Sequence, residues 1–206
     1  MKITVFGATG GTGLHLVRQA REAGHSVTAV VRSAAEFPAG VEVVRADVMD
    51  PAAIEQAVTG RDAVVSALGH RPGHDEPVCA PAAASIIKAM RVTGTRRLVV
   101  VTAAGHVTDS HDTFLIAKIV KPLLRRFLRA AFTDFTATEE IVRTSGLDWT
   151  IMWPPRLTNG RARPYRAAVD HTVRGGGTIS RTDLATATLA AATDPATIGH
   201  AVAIGY

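Results

Sequence analysis

The stretch Lys2-Ile3-Thr4-Val5-Phe6 and the turn Gly7-Ala8-Thr9-Gly10-Gly11-Thr12-Gly13 directly after it constrain this chain more than any other feature. A short apolar run opens into glycines, and residues 14–20 continue with helical character. In that strand–turn–helix context a glycine fingerprint marks a dinucleotide-binding unit. Gly7 permits the tight turn, Gly10 lets the backbone approach a pyrophosphate, and Gly13 lets helix and strand pack closely. The free N–H groups and partial positive charge of the helix N-terminus then face the phosphates. The spacing is Gly-x-x-Gly-x-x-Gly, a variant of the commoner Gly-x-Gly-x-x-Gly.

At 206 residues the chain has the length of one well-filled α/β domain, with the part from about 105 onward expected to complete a substrate pocket. The first residues form a strand rather than a charged stretch followed by an apolar core, so no secretion signal is expected. No apolar run reaches the roughly 18 residues needed to span a bilayer. The single cysteine, Cys79, excludes an intrachain disulfide and a multi-cysteine metal site. A cytoplasmic protein is the expectation. The net charge of +5 is spread along the chain, and its densest group, Lys121, Arg125, Arg126 and Arg129, lies at helical spacing between apolar residues. That group reads as a solvated helix face, so nucleic acid is not an expected partner, whereas a positive field suits an anionic cofactor.

Gly24-His25 reads as a helix stop and Ser26–Val31 as a second buried strand. Arg32 follows, about 20 residues beyond the glycine turn, where an acid grips the ribose of NAD and an arginine accommodates the extra phosphate of NADP. A guanidinium pairs bidentately with phosphate, which a carboxylate would repel. Arg32 thus points to NADP(H); an incidental strand-end arginine is the alternative. Val41–Arg45 is the third strand, and Asp50 caps a helix that starts at Pro51. Asp47 and Val48 lie at a strand's carboxyl end, where an adenine could rest, although Asp47 could equally be a turn residue serving local amides.

Residues 61–69 read as a fourth strand ending in a glycine turn, so a ligand lying across the strand ends would pass Ala67, Leu68 and Gly69. His70 and His74 in the following loop lack the helix and matched ligands of a metal site, and no metal is expected. A helix over 79–92 leads to a fifth strand over 97–102, the strongest β-branched run. Helix-length connections make a parallel, right-handed, doubly wound sheet with helices on both faces the economical topology. At the fifth strand's end, Thr102-Ala103-Ala104-Gly105-His106 offers Thr102 and His106 to orient an acceptor.

The amphipathic segment 113–129, interrupted by Pro122, could pack in the core, roof a pocket or pair with another subunit. A helix from Thr133 runs to a stop at Ser145-Gly146, and Asp148–Trp153 is a sixth strand. Pro154-Pro155 ends that strand in a rigid wall suited to a flat ring, and Arg156 beyond it could meet an anionic acceptor or a surface carboxylate. Residues 161–174 are expected to cross the surface, and Gly175-Gly176-Gly177 to turn. Ile179-Ser180-Arg181-Thr182-Asp183-Leu184 begins the last helix, with Ser180 as cap and Asp183 in the capping-box position. Residues 200–204 can add an edge strand.

In order, Gly7-Ala8-Thr9-Gly10-x-Thr12-Gly13-Leu14, Val31-Arg32, Asp47-Val48, Asp62-Ala63-Val64, Leu68-Gly69, Ser145-Gly146-Leu147, Pro154-Pro155 and Ile179-Ser180-Arg181-x-Asp183-Leu184 fall along nearly the whole chain. Together they resemble the atypical short-chain dehydrogenase/reductases of the NmrA-like, NAD(P)H-binding group, and in functional type the biliverdin-IXβ reductase/flavin reductases. The resemblance implies a Rossmann-type domain that binds NADPH. Thr9, Gly10, Gly11, Thr12 and Gly13 would lie at the phosphates and Arg32 at the 2′-phosphate. Asp47 and Val48 would lie by the adenine, Leu68, Gly69 and His70 by the nicotinamide ribose, and Pro155 by the nicotinamide. Flavin-reductase-like relatives carry a serine after the strand-five threonine and a histidine after the proline pair; Ala103 and Arg156 stand there in this chain. Neither Tyr165 nor Tyr206 has a lysine four residues on, so the Tyr-x-x-x-Lys pair of ordinary short-chain dehydrogenases is missing.

Two functional classes follow. One is an NADPH-dependent reductase passing hydride to a flat conjugated acceptor (flavin, quinone or tetrapyrrole-like), with Thr102, His106 and Arg156 as candidate catalytic groups. The other is an NmrA-like NADP(H)-sensing regulatory protein without turnover. A monomer or homodimer is expected in either case.

Overall fold

The computed structural model of the protein describes residues 1–69, 76–106 and 129–206. His70, His74 and most of the amphipathic segment, with Lys121, Pro122, Arg125 and Arg126, lie outside the described residues. The first half of the chain alternates β1 (Lys2–Phe6), α1 (Gly11–Glu22), β2 (Ser26–Val31), β3 (Val41–Arg45), α2 (Pro51–Val58), β4 (Ala63–Ser66), α3 (Cys79–Thr93) and β5 (Arg97–Val101). The second half carries α4 (Arg129–Arg143), β6 (Asp148–Trp153), β7 (Arg156–Thr158), β8 (Arg166–Val169), β9 (Thr178–Ser180), α5 (Arg181–Thr193) and β10 (His200–Gly205).

Period-two burial gives the sheet two dry faces. Ile3, Val5, Val99, Val101, Val202 and Ile204 pack on one side against α1 and α5. Phe6, Val64, Leu98, Val100, Ala201 and Ala203 pack on the other against α2, α3 and α4. Full burial of side chains such as Ile3 and Phe6 contributes about 2 kcal/mol each. The resulting eight-stranded sheet runs β3-β2-β1-β4-β5-β6-β10-β8, and every pairing is parallel except β10 with β8. This is a Rossmann-like α/β fold. The strand order reverses between β1 and β4, and ligands of such sheets bind in the crevice outside the strand ends at that switch point.

Several expectations are corrected. The 200–204 strand is no edge: β10 lies between β6 and β8. The edge is β8, inside the segment expected only to cross the surface; its mostly exposed residues gave no apolar signal. β4 is shorter than the 61–69 reading, and α4 already includes Arg129, ahead of Thr133. β7 and β9 form a separate two-stranded parallel ribbon, too short for any periodicity to declare. The capping box at α5 is half formed. Ser180 Oγ accepts from the Asp183 amide at 3.0 Å, but the Ser180 amide donates to the Tyr206 hydroxyl at 3.0 Å instead of to Asp183. The Asp183 carboxylate accepts from Ser180 Oγ and from that same tyrosine.

At the far end of the sheet, Arg97 is buried and reaches the Asp148 carbonyl at 2.7 Å, Thr150 Oγ1 at 2.8 Å, Thr197 Oγ1 at 2.9 Å and the Ala191 carbonyl. It ties β5 to β6 and places a cation at the carboxyl end of α5, where the helix dipole favours one.

Candidate functional site

The glycine turn closes the end of β1 against the end of β4. Gly7 has a φ of 74°, and a Cβ there would sit 2.7 Å from the Ala67 carbonyl group. A Cβ at Gly13 would overlap the Gly7 carbonyl oxygen, so helix and strand meet at a distance only glycine allows. The Gly10 amide donates to the Gly7 carbonyl at 2.9 Å. Thr9, Gly10 and Gly11 are exposed, Thr12 is buried, Gly10 supplies no side-chain cap, and no acid stands in the first turn of α1. Elsewhere Asp50 caps α2 and Ser180 caps α5. An exposed helix N-terminus with unused amides and no Cβ in the way fits a pyrophosphate.

The other residues expected at the cofactor lie along neighbouring strand ends. Arg32 follows β2 and is exposed; its carbonyl accepts from Arg45 Nε at 3.2 Å, and its guanidinium has no partner among the described residues. Asp47 Oδ1 accepts from the Met49 amide at 3.0 Å, which is the local turn bond, while Val48 is buried beside it. Leu68 is half-buried, with its carbonyl 3.6 Å from Cys79 Sγ, and Gly69 is exposed. Burial pushes the Cys79 thiol far up, and the Asp134 charge adds to it, so the sulfur is no nucleophile.

At the end of β5, where the sequence suggests an acceptor site, Thr102 is only 5% exposed and donates to Glu139 Oε1 at 2.8 Å. Trp153 Nε1 donates to the same oxygen at 2.7 Å. The Arg143 guanidinium lies 3.4 Å from the other Glu139 oxygen and 5.0 Å from the Trp149 ring centre. A buried carboxylate therefore ties α4 to the ends of β5 and β6. The Ala104 amide donates to the Pro154 carbonyl at 2.8 Å, joining the Thr102–Ala103 turn to the proline wall. Pro155 is half-buried, Arg156 is exposed at the start of β7, and His106 ends a single 3₁₀ turn over Ala104–His106.

Sequence reasoning passed over Asp134, Glu139 and the role of Arg181. Each acts across a long stretch of chain, and neither local spacing nor residue type announces it.

A parallel sheet whose switch point carries a glycine turn and an open helix N-terminus defines a Rossmann-type dinucleotide-binding protein. Residues 7–195 match the NAD(P)H-binding family, and the chain belongs to it. Its cofactor is thus a nicotinamide dinucleotide. YwnB of Bacillus subtilis is 29% identical over 198 residues, 92% of this chain and 91% of that protein. Isoflavone reductase of Pisum sativum is 25% identical over 239 residues, 98% of this chain and 69% of that one. A solved structure from Burkholderia pseudomallei superposes with a TM-score of 0.83 at 28% identity, covering 100% of both chains.

Proposed function

We propose that the protein is an NADPH-dependent oxidoreductase that passes hydride to a flat conjugated acceptor of the flavin, quinone or tetrapyrrole kind. The observation that carries this reading is the exposed, uncapped N-terminus of α1 at the switch point of an NAD(P)H-binding fold. In this reading Thr9, Gly10, Gly11, Thr12 and Gly13 hold the pyrophosphate and Arg32 pairs with the 2′-phosphate. Asp47 and Val48 border the adenine, and Leu68, Gly69 and His70 border the nicotinamide ribose. Pro155 walls the nicotinamide ring. The bound cofactor supplies the hydride; the protein orients the two rings and excludes water. Arg156, whose guanidinium has no partner among the described residues, pairs with an acidic group of the acceptor or steadies its developing charge. Thr102 sets the turn after β5, and His106 completes the acceptor side. Solvent supplies the acceptor's proton, so the missing Tyr-x-x-x-Lys pair is tolerable. The name isoflavone reductase, carried by a relative, describes reduction of a conjugated ring system and supports the class. We read the chain as one domain, monomeric or homodimeric, working in the cytoplasm; no helix among the described residues is long and apolar enough to cross a membrane.

A second reading is favoured by Ala103 and by the Thr102 hydroxyl being committed to Glu139. In it the protein senses NADP(H) without turnover. Purified protein mixed with NADPH and a panel of flavins, quinones and biliverdin separates the two. The reductase reading expects oxidation of NADPH with at least one acceptor; tight NADPH binding and no oxidation across the panel would move the assignment to the sensor.

A further inference from the structure

We infer that Arg181 is a cofactor-contacting residue that closes on the pyrophosphate from α5, opposite the amides of α1, with Asn159 holding it in place. This rests on the reading that the glycine turn holds the cofactor phosphates.

Arg181 is the first residue of α5, at the positive end of the helix dipole, where acids rather than cations are favoured. Helix preference therefore does not account for it. Its side chain instead runs across the glycine turn: a Cβ on Gly11 would lie 2.7 Å from Arg181 Cδ and 2.8 Å from Nε. Gly11 has no left-handed φ that would call for glycine, and the Arg181 side chain lies where its Cβ would begin. The pairing of Thr158 with Ser180 in the β7–β9 ribbon sets residues 159 and 181 side by side. Arg181 Nη1 donates to Asn159 Oδ1 at 2.6 Å. That partner is a neutral amide, which orients the guanidinium and leaves its charge uncompensated.

The placement is fixed from below. Gln19 Nε2 of α1 donates to the Thr182 carbonyl at 3.0 Å, and Thr186 Oγ1 donates to Gln19 Oε1 at 3.1 Å. The first turn of α5 thus packs beside His15 and Gln19 of α1, and the Arg181 side chain reaches from there to Gly11 at the α1 N-terminus. His15, one turn into α1, feels the field: burial lowers its pKa first, and Arg18 and Arg181 lower it further. Positive potential from the uncapped α1 N-terminus and from Arg181 converges on the exposed side of Gly11. A diphosphate group is the anion whose charge and reach match that convergence, and an arginine can bind it through two parallel N–H bonds.

The pyrophosphate is common to NADPH and NADH, which sets the test. By fluorescence titration, Arg181→Ala should weaken both cofactors by the same factor, roughly tenfold to a hundredfold, with an unchanged circular-dichroism spectrum and unfolding midpoint. Arg181→Lys should recover part of the loss. Asn159→Ala, which keeps the charge and removes the tether, should weaken both cofactors equally but less. Wild-type affinity in Arg181→Ala overturns the inference. So does a loss confined to NADPH, which would move Arg181 to the 2′-phosphate. If the wild-type protein binds neither cofactor, the phosphate reading itself fails, before any substitution is made.

Discussion

The N-termini of α1 and α3 both lack a capping side chain of their own, Gly10 preceding the first and Val78 the second. At α3 the deficit is met inside the protein. Asp134, 3% exposed on α4, accepts from the amides of Val78, Cys79 and Ala80 at 2.9, 2.8 and 2.8 Å. At α1 no acid of the first turn or cap fills the place, and Thr9, Gly10 and Gly11 stand exposed. The electrostatic problem is the same at both ends: unpaired N–H groups and a partial positive charge. Where the anion is structural, a carboxylate is delivered from a distant helix and buried. At α1 the donors stay at the surface, as the proposed function needs of a site whose anion enters and leaves.

The most damaging way to test this contrast is to remove the internal anion. Asp134→Ala leaves the α3 amides buried and unpaired and should cost about 3 kcal/mol of stability, measured by urea unfolding. The cofactor affinity of the folded protein should not change. A loss below about 1 kcal/mol would mean that α3 never needed its anion.

The converse substitution gives α1 an anion of its own. Gly10 has φ −72° and ψ 161°, a backbone that an aspartate cap adopts, and an added Cβ would meet the Gly7 carbonyl oxygen at 3.2 Å. Gly10→Asp should change stability by no more than about 1 kcal/mol, the new cap offsetting that close contact. Cofactor binding should fall by about 2–3 kcal/mol, because the carboxylate occupies and repels the phosphate position. Retained affinity in this variant would move the phosphates away from α1.

The two helix ends also differ in how far the sequence discloses them. The α1 site is local: an apolar strand, a four-residue turn and a helix are contiguous from Lys2 to Glu22. Its geometry follows from glycine sterics. β2, β3 and β6, and Asp50 capping a helix that begins at Pro51, were legible for the same reason. The α3 cap joins residues more than fifty positions apart, and at position 134 aspartate reads as an ordinary helix-surface residue. Long-range pairing likewise hides the place of β10 in the sheet, the short ribbon of β7 and β9, and the approach of Arg181 to Gly11. The hydroxyl of Tyr206 takes the amide that the capping-box pattern assigns to Asp183, because a residue 26 positions on reaches it. Local chemistry shapes the glycine turn, whereas tertiary contacts build the surroundings of Thr102, Glu139 and Trp153.

Arg32 sharpens the contrast by separating the phosphates. Its guanidinium, without a partner among the described residues, stands at the end of β2, and under the proposed function it pairs with the 2′-phosphate. Arg32→Glu should weaken NADPH by about 2 kcal/mol and spare NADH, read in parallel titrations of the two cofactors. Equal weakening of both would remove Arg32 from its assigned role.

The smallest expected effect is a proton. Burial holds the His15 imidazole below the ordinary histidine range, and the Arg18 and Arg181 guanidiniums push the same way. Arg18 Nη2 lies 3.2 Å from His15 Nδ1, an arrangement that needs the neutral ring as acceptor. The unfolded chain takes up this proton near the usual 6.5, before the folded one does. Folded stability therefore falls as pH drops through that value and stops falling below the folded pKa. An anion at α1 offsets part of the positive field, so cofactor binding should move the His15 pKa upward and take up protons. At α3, where the anion is already in place, no such linkage exists. NADH is the ligand to use, since it lacks the titrating 2′-phosphate. The His15 ring-proton shift, followed by NMR against pH with and without NADH, should show the upward move, and His15→Gln should abolish the pH dependence of NADH affinity in that range. An unmoved or lowered His15 pKa would place the bound phosphates beyond the reach of α1.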